Sequence, residues 1–378
     1  MIEGFWIRNF RAFKRLGIGS CFELFSVVDG DLDLAPFELG PVTAFVGGCG
    51  IGKSTIFDAF SFIADCFHHG LDFACQRRGG FENILHQEAK GSFSVGIDFR
   101  LKENFATATY AVGIGCDRNG IPFVESEILV VRQEANSIPV IFLQNGAKSI
   151  RYLAPHENFS AAELTKIEFT DYKHLGLVSL VEHPGYPAFG AIRDLFDNWQ
   201  QYGLTTDPLG GLDGSLSKQH SPRGRSLSGL VRFIVARYGD ATPRLLERIA
   251  RFLPNVEAIF LDATSAETPK LTFKMTGLRQ PIPLASLPGA TIRLFAYALL
   301  LEEDHPAPLI AIKEPESGFD QPHLENLLEL IRRVIDFPRA LQLFISTRTP
   351  ELFETLPESA VWCLEKRANE TFAERICD

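Results

Sequence analysis

No stretch of about 18 consecutive apolar residues occurs in the 378-residue chain, so no membrane-spanning helix is expected. The opening Met1-Ile2-Glu3-Gly4 lacks the basic segment and apolar core of a secretion signal, and the expectation is a cytoplasmic protein. Cysteines are few: seven, scattered, odd in number and never spaced C-x-x-C. That excludes a disulfide framework or a zinc ribbon and fits reduced thiols. Only two methionines stand against 32 phenylalanines, so the core should be filled by rings rather than by flexible thioethers. Positive charge is in deficit, with 37 Lys and Arg against 47 Asp and Glu, a net charge of −10. A generally basic surface for nucleic acid is thereby excluded, while a local basic patch stays open. There are no sustained heptads, hence no coiled-coil arm, and no internal repeat. What remains is ample apolar bulk, 46% of residues, in a length that suits two or three domains or one large α/β domain with an insertion.

Against that background one stretch stands out: Gly47-Gly48-Cys49-Gly50-Ile51-Gly52-Lys53-Ser54, followed by Thr55. It fits G-x-x-x-x-G-K-[ST], the phosphate-binding P-loop. The apolar run 42–46 before it reads as a buried parallel strand. Ile56, Phe57, Phe60, Ile63, Ala64 and Phe67 after it recur at helical spacing. Strand, glycine loop and helix are the parts that polyphosphate binding needs. Glycines let backbone N–H groups curl around phosphate oxygens, and the helix N-terminus adds its dipole. Lys53 would then reach the β- and γ-phosphates of ATP, and the Ser54 hydroxyl would ligate Mg²⁺. Cys49 reads as a small passive residue whose alkylation would block the loop.

Taken in order, residues 5–13 read as a strand entering a turn, and 32–39 as an edge strand limited by Pro36. The basic turn Arg77-Arg78-Gly79-Gly80-Phe81 follows the P-loop helix. Segments 93–101, 107–115, 120–131 and 140–143 alternate as antiparallel strands. Residues 191–202 read as a helix. Residues 203–229, dense in Gly, Ser, Pro and Asp, read as a long loop carrying Lys218, Arg223 and Arg225. Helices are expected over 230–238, 243–253, 290–301 and 325–335, with strands over 256–261, 270–275, 309–312, 341–346 and, as the last, 361–364. The expected organisation is an N-terminal lobe over 1–150, an accessory insertion over 151–230 and a C-terminal lobe over 231–378.

Five segments carry a resemblance. They are Ile7-Arg8-Asn9-Phe10-Arg11-Ala12-Phe13; the P-loop forty residues later; Pro288-Gly289-Ala290-Thr291-Ile292-Arg293; Leu309-Ile310-Ala311-Ile312-Lys313-Glu314-Pro315-Glu316 running into Ser317-Gly318-Phe319-Asp320; and Phe344-Ile345-Ser346-Thr347-Arg348-Thr349-Pro350-Glu351-Leu352. In this order they resemble the opening strand, Walker A, signature, Walker B with D-loop, and switch of the ABC-type ATPases of the SMC, RecF and OLD group, often called AAA family ATPases. The resemblance spans nearly the whole chain. It implies an α/β fold, a P-loop NTPase of ABC type with an antiparallel β subdomain and an accessory insertion. It also implies ATP and Mg²⁺ as ligands, with Arg11, Lys313 and Arg348 joining residues 47–55 around the nucleotide. Glu314 is implied as the catalytic carboxylate. Gln87 is either the Q-loop ligand of Mg²⁺ or a surface glutamine. The implied partners are a second copy or an effector chain, in DNA repair or phage defence. With 30 residues after Arg348, no nuclease domain of the OLD kind is expected in this chain.

Three segments depart from the family pattern, at four residues. Lys313 stands where the first Walker B acid holds Mg²⁺, Arg348 where a histidine senses the γ-phosphate, and Pro288 and Ala290 where the signature has Ser and Gly. Proline offers neither hydroxyl nor N–H. Two readings stand: tolerated variation in a working ATPase, or ATP binding with weak or lost hydrolysis. The Lys313 ammonium either repels the metal or replaces it against phosphate. His68-His69 reads as a solvated helix end, and Arg77, Arg78, Arg223 and Arg225 as loop charge or as a DNA or partner surface.

Overall fold

A computed structural model describes residues 1–20, 39–100, 107–132, 140–146, 149–153, 164–167, 174–180, 192–193, 195–197, 199–204, 212–213, 227–262, 270–304, 307–337, 341–367 and 370–376. In chain order the first elements are β1 (Ile2–Phe10), β2 (Phe13–Gly19), β3 (Val42–Val46), α1 (Lys53–His69) and α2 (Leu71–Gln76). Then come β4 (Phe93–Arg100), β5 (Thr107–Cys116), β6 (Pro122–Arg132), β7 (Val140–Gly146), β8 (Ser149–Leu153), β9 (Leu164–Ile167) and α3 (Gly176–Leu180). β10 (Trp199–Leu204), β11 (Leu212–Asp213), α4 (Leu227–Tyr238), α5 (Thr242–Ala250), β12 (Val256–Asp262), β13 (Lys270–Met275), β14 (Ile282–Pro283) and α6 (Gly289–Glu302) follow. The chain closes with β15 (Leu309–Lys313), α7 (Gln321–Asp336), β16 (Gln342–Thr347), α8 (Pro350–Phe353), β17 (Val361–Arg367) and β18 (Glu370–Arg375). The chain is thus mixed α/β with several sheets. It divides into two compact units, one of Met1–Gly40, Val46–Trp199 and Trp362–Asp378, the other of Pro41–Phe45 and Gln200–Val361.

The first unit is built on an eight-stranded antiparallel sheet in the order β2-β1-β4-β5-β6-β7-β8-β9. Strict alternation in β4 and β5 makes the register continuous from Phe93↔Ile114 to Arg100↔Thr107. α1 is buried over most of its length, and its rings meet those of the sheet. Phe60 lies 4.9 Å from Phe5 edge to face, and Phe62 lies 5.2 Å from Phe93. This is the ring-filled core that the phenylalanine count implies. The expected helix over 191–202 is corrected. Helical residues stop by 197, and Trp199 begins a strand, its ring stacked on Phe60 at 5.1 Å. Burial of that indole overrides a weak helical period. A second correction concerns the C-terminus: β17 is not the last strand, because β18 returns along it from Arg367↔Glu370 to Trp362↔Arg375. β18 reads E-T-F-A-E-R, with too little apolar content to mark a strand. The expected edge strand over 32–39, apart from Leu39, and most of the 203–229 loop, with Lys218, Arg223 and Arg225, lie outside the described residues.

Two buried charge clusters fix this unit. Arg78 donates to Asp65 Oδ2 at 2.7 Å and to Asp58 Oδ1 at 2.9 Å, and Arg77 donates to Asp65 Oδ1 at 3.1 Å. The basic turn is therefore no partner surface at Arg78, whose side chain is 3% exposed. It pins the turn after α2 to α1. Burial raises the Asp65 carboxyl even with both arginines beside it. Asp65→Ala should cost about 1.5–3 kcal/mol, because it removes a charged acceptor from the buried Arg78 guanidinium and leaves Asp58 to hold it alone. Urea unfolding checks this, and a loss under about 1 kcal/mol would mean that the pair is solvated.

The second cluster is Glu127, which is 1% exposed on β6. It receives Tyr110 Oη at 2.9 Å and the N–H groups of Gly176 at 2.6 Å and Leu177 at 3.0 Å. Burial pushes its carboxyl above the ordinary 4.5, against the pull of those three donors. A carboxyl with a raised folded pKa holds its proton longer in the folded chain. Its contribution to stability is full in acid and falls as pH rises from about 4.5 through the folded pKa. Stability of the wild type relative to Glu127→Gln should therefore decline over that window. A constant difference between the two would contradict the assignment.

In the second unit β11, β10, β15, β16 and β3 are neighbours in that order in one sheet. β15 and β16 are parallel, from Leu309↔Gln342 to Lys313↔Ser346, and Leu343 N–H donates to Pro41 O at 2.7 Å. The central residues of both strands, L-I-A-I and L-F-I, are apolar and buried, as expected where both faces are covered. β12, β13 and β14 form a small antiparallel sheet. α6 is buried along almost its whole length. At its C-terminal end Glu302 takes Arg333 bidentately at 2.7 and 3.1 Å, and Arg248 donates to the Glu302 carbonyl at 2.9 Å. The end of α6 is thereby tied to α5 and α7.

Candidate nucleotide-binding site

The sequence-expected site residues fall in two groups, one in each unit. In the first, β3 delivers the chain into a loop that only glycine can form. Gly47, Gly50 and Gly52 have φ of 156°, 74° and 107°. A side chain at Gly52 would also meet the Phe13 ring at 3.0 Å and Ala12 at 3.1 Å, so the turn between β1 and β2 packs under the loop. Above Gly48 and Gly50 the opposite holds, since a Cβ there would meet nothing within 4 Å among the described residues. The loop is closed on its protein side and open on the other. α1 begins at Lys53 with no side-chain cap and no acid in its first turn, so nothing from the helix competes with an anion for its leading N–H groups. Lys53 is buried, and its Nζ donates to the carbonyls of Gly47 at 2.5 Å and Gly48 at 2.7 Å. Cys49 and Ser54 are exposed, and Ile51 and Thr55 half-buried.

Arg11 sits beside this loop but is already engaged. Its backbone is left-handed at φ 48°, its N–H donates to Ile84 O at 2.7 Å, and its guanidinium pairs with Asp58 on α1 at 3.1 Å. Gln87 is exposed in a turn just after the Phe10↔Leu85 bridge. His68 lies 3.4 Å from Asp197. Among the described residues no group of three or more His, Cys, Asp or Glu could hold a metal ion.

The second unit gathers the Walker B-like, signature-like and switch-like residues. Lys313 ends β15 half-buried. Glu314 follows with φ 42°, a strained value for a non-glycine, fixed by its N–H to Ser346 O at 2.7 Å. Its Oε2 is paired with Arg348 Nη2 at 3.1 Å. The two expected site residues thus meet, and the carboxylate implied as base carries a cation. Glu316 Oε1 accepts from Thr347 Oγ1 at 2.6 Å and Thr349 Oγ1 at 3.1 Å.

At the start of α6, Pro288 and Gly289 are exposed and Ala290 half-buried. Thr291 is turned inward, with Oγ1 3.0 Å from His323 Nε2, and His323 Nδ1 is held by Asp320. Asp320 caps α7, and the His323 hydrogen bonds pull its carboxyl below the usual range. Gly318 lies so close to Arg293 that a Cβ would stand 2.6 Å from Nη2. Sequence reasoning missed Asp58, Glu316, Thr347, Thr349 and His323. The clue for Glu316 was present, an acid two residues after Glu314 in a stretch otherwise rigid at Pro315.

The residues fit phosphate better than they fit a metal. Open glycines, an uncapped helix start and Lys53 suit a polyanion. Beside the loop, among the described residues, the exposed Ser54 hydroxyl is a candidate ligand for Mg²⁺; in the second unit position 313 carries an ammonium and Glu314 has an arginine partner.

No family model matches the chain, and no curated protein matches it either. Among solved structures it is similar to the SMC head domain from Thermotoga maritima, over 100% of this chain and 99% of that one, at 16% identity and a TM-score of 0.49. No helix among the described residues is long and apolar enough to cross a membrane.

Proposed function

We propose that the chain is an ATP-binding P-loop protein of the ABC ATPase type, related to the SMC, RecF and OLD group, with weak hydrolysis. The observation that carries this is the loop from Gly47 to Lys53, left-handed at three glycines, open above Gly48 and Gly50, and leading into an uncapped 17-residue helix. Residues 47–55 hold the phosphates, with Lys53 exchanging its loop carbonyls for phosphate oxygens. Mg²⁺, held through Ser54 and water, would supply charge neutralisation when bound; Gln87 is the other candidate ligand. Glu314 is the candidate base for water, and its pairing with Arg348, with Lys313 next to it, supports slow turnover. Nucleotide binding would promote self-association or engagement of an effector chain, by the resemblance in DNA repair or anti-phage defence in the cytoplasm. The net charge of −10 gives nucleic acid no support as a partner.

A second reading, a nucleotide-binding scaffold without turnover, is favoured by one further observation. The start of α6 offers no outward hydroxyl, because Pro288 has none and that of Thr291 is taken by His323. A homodimer of ABC type would therefore complete each phosphate site poorly. Gel filtration with and without ATP, beside phosphate release, separates the readings. ATP-dependent assembly with measurable release supports a slow ATPase. Assembly without release supports the scaffold, and no response to ATP refutes both.

A further inference from the structure

Glu316 has no part in the reading above, yet it grips three consecutive residues with one oxygen. Oε1 accepts from Thr347 Oγ1 at 2.6 Å, from the Arg348 backbone N–H at 3.4 Å and from Thr349 Oγ1 at 3.1 Å. Thr349 N–H closes the turn onto Thr347 Oγ1 at 3.0 Å. From the middle of this gripped segment Arg348 extends to Glu314, 3.1 Å away. The pair itself is poorly shielded, with the side chains 46% and 35% exposed. An ion pair so open to solvent is weak, and a free guanidinium there would sample many positions. What fixes this one is its backbone. Glu314 is held by the Ser346 carbonyl and Arg348 by the Glu316 carboxylate. The other oxygen of Glu316, Oε2, is buried, with no hydrogen-bond partner among the described residues, so the hold on the segment rests on Oε1.

We propose that Glu316 is a positioning residue that acts through residues 347–349, holding the Arg348 guanidinium on Glu314 and keeping that carboxylate from serving as a base. The catalytic half of this statement rests on the ATPase reading; the structural half does not. Charge-assisted acceptance by one carboxylate from three donors is the strong contact, and the exposed ion pair is its consequence. Loss of the grip should let Arg348 leave Glu314.

The test has two arms. Amide hydrogen exchange is measured across 341–353 in the nucleotide-free wild type, Glu316→Ala and Glu316→Gln. Exchange at Arg348 and Thr349 should accelerate about tenfold or more in Glu316→Ala, with partial recovery in Glu316→Gln and no change in α6. Steady-state phosphate release is then compared for Glu316→Ala, Arg348→Ala and the double variant. Both single variants should release phosphate faster by a similar factor, and the double variant no faster than either. Unchanged exchange in Glu316→Ala overturns the grip. Gains that multiply in the double variant, or a fall in release, overturn its action through Arg348. If the chain proves to bind no ATP, the ATPase reading fails in calorimetry, while the exchange arm still decides whether Glu316 positions the segment.

Discussion

Lys53→Ala should weaken ATP binding about 100-fold or more, which places it below detection in ordinary calorimetry. The Lys53 ammonium lies at the open loop with its Nζ already held between two backbone carbonyls. It needs only to trade neutral acceptors for charged ones when phosphate arrives. Two hydrogen bonds to charged oxygens are worth roughly 1.5–3 kcal/mol each, and about 1.4 kcal/mol is a factor of ten. The fold should survive the change, because Gly47, Gly50 and Gly52, rather than the lysine, set the loop's backbone. Unchanged affinity in a folded Lys53→Ala would remove the central element of the proposed function. Gly52→Ala fails for a different reason: it strains φ 107° and crowds Phe13. Comparing the two separates lost charge from lost shape.

Much of this region was legible in the sequence. The run V-T-A-F-V marks β3 to the residue, because a strand buried on both faces needs unbroken apolar content. α1 begins where glycine gives way to Lys53 and ends at His69 before Gly70. What was not legible depends on partners distant in sequence. Arg78 reads as loop charge, yet it is buried by Asp58 and Asp65, 20 and 13 residues away. Trp199 reads as the end of a helix, yet its stacking on Phe60 makes it a strand. The pairing of Arg348 with Glu314 spans 34 residues and is set by the parallel register of β15 and β16, which no local pattern encodes. Thr291 belongs to the signature-like stretch 288–293, yet its hydroxyl is engaged by His323 on α7, 32 residues away.

Lys313→Asp should increase phosphate release by restoring a metal-holding carboxylate. Lys313 ends β15 immediately before Glu314, so the substitution reverses a charge next to the candidate base. The gain should be about three- to tenfold, roughly 0.6–1.4 kcal/mol off the barrier. It stays small because Arg348 still occupies Glu314 and Pro288 still lacks a hydroxyl. Combining Lys313→Asp with Arg348→Ala should exceed either single variant, since one supplies a metal ligand and the other frees the base. Glu314→Gln should abolish whatever release remains. Brisk wild-type release lost in Glu314→Gln would instead describe an ordinary ATPase in which Lys313 and Arg348 are tolerated. A decrease in Lys313→Asp would mean that the ammonium serves phosphate in place of a metal.

The central claim is binding with little turnover, and one measurement on one sample tests it. Wild-type chain is titrated with ATP and Mg²⁺ in a calorimeter, and inorganic phosphate in the same cell is assayed over the following hours. The expected result is saturable binding near one nucleotide per chain, with phosphate accumulating far more slowly than the roughly 10 s⁻¹ typical of enzymes. No saturable heat at any ATP concentration up to the millimolar range, where binding is worth only about 4 kcal/mol, would contradict it.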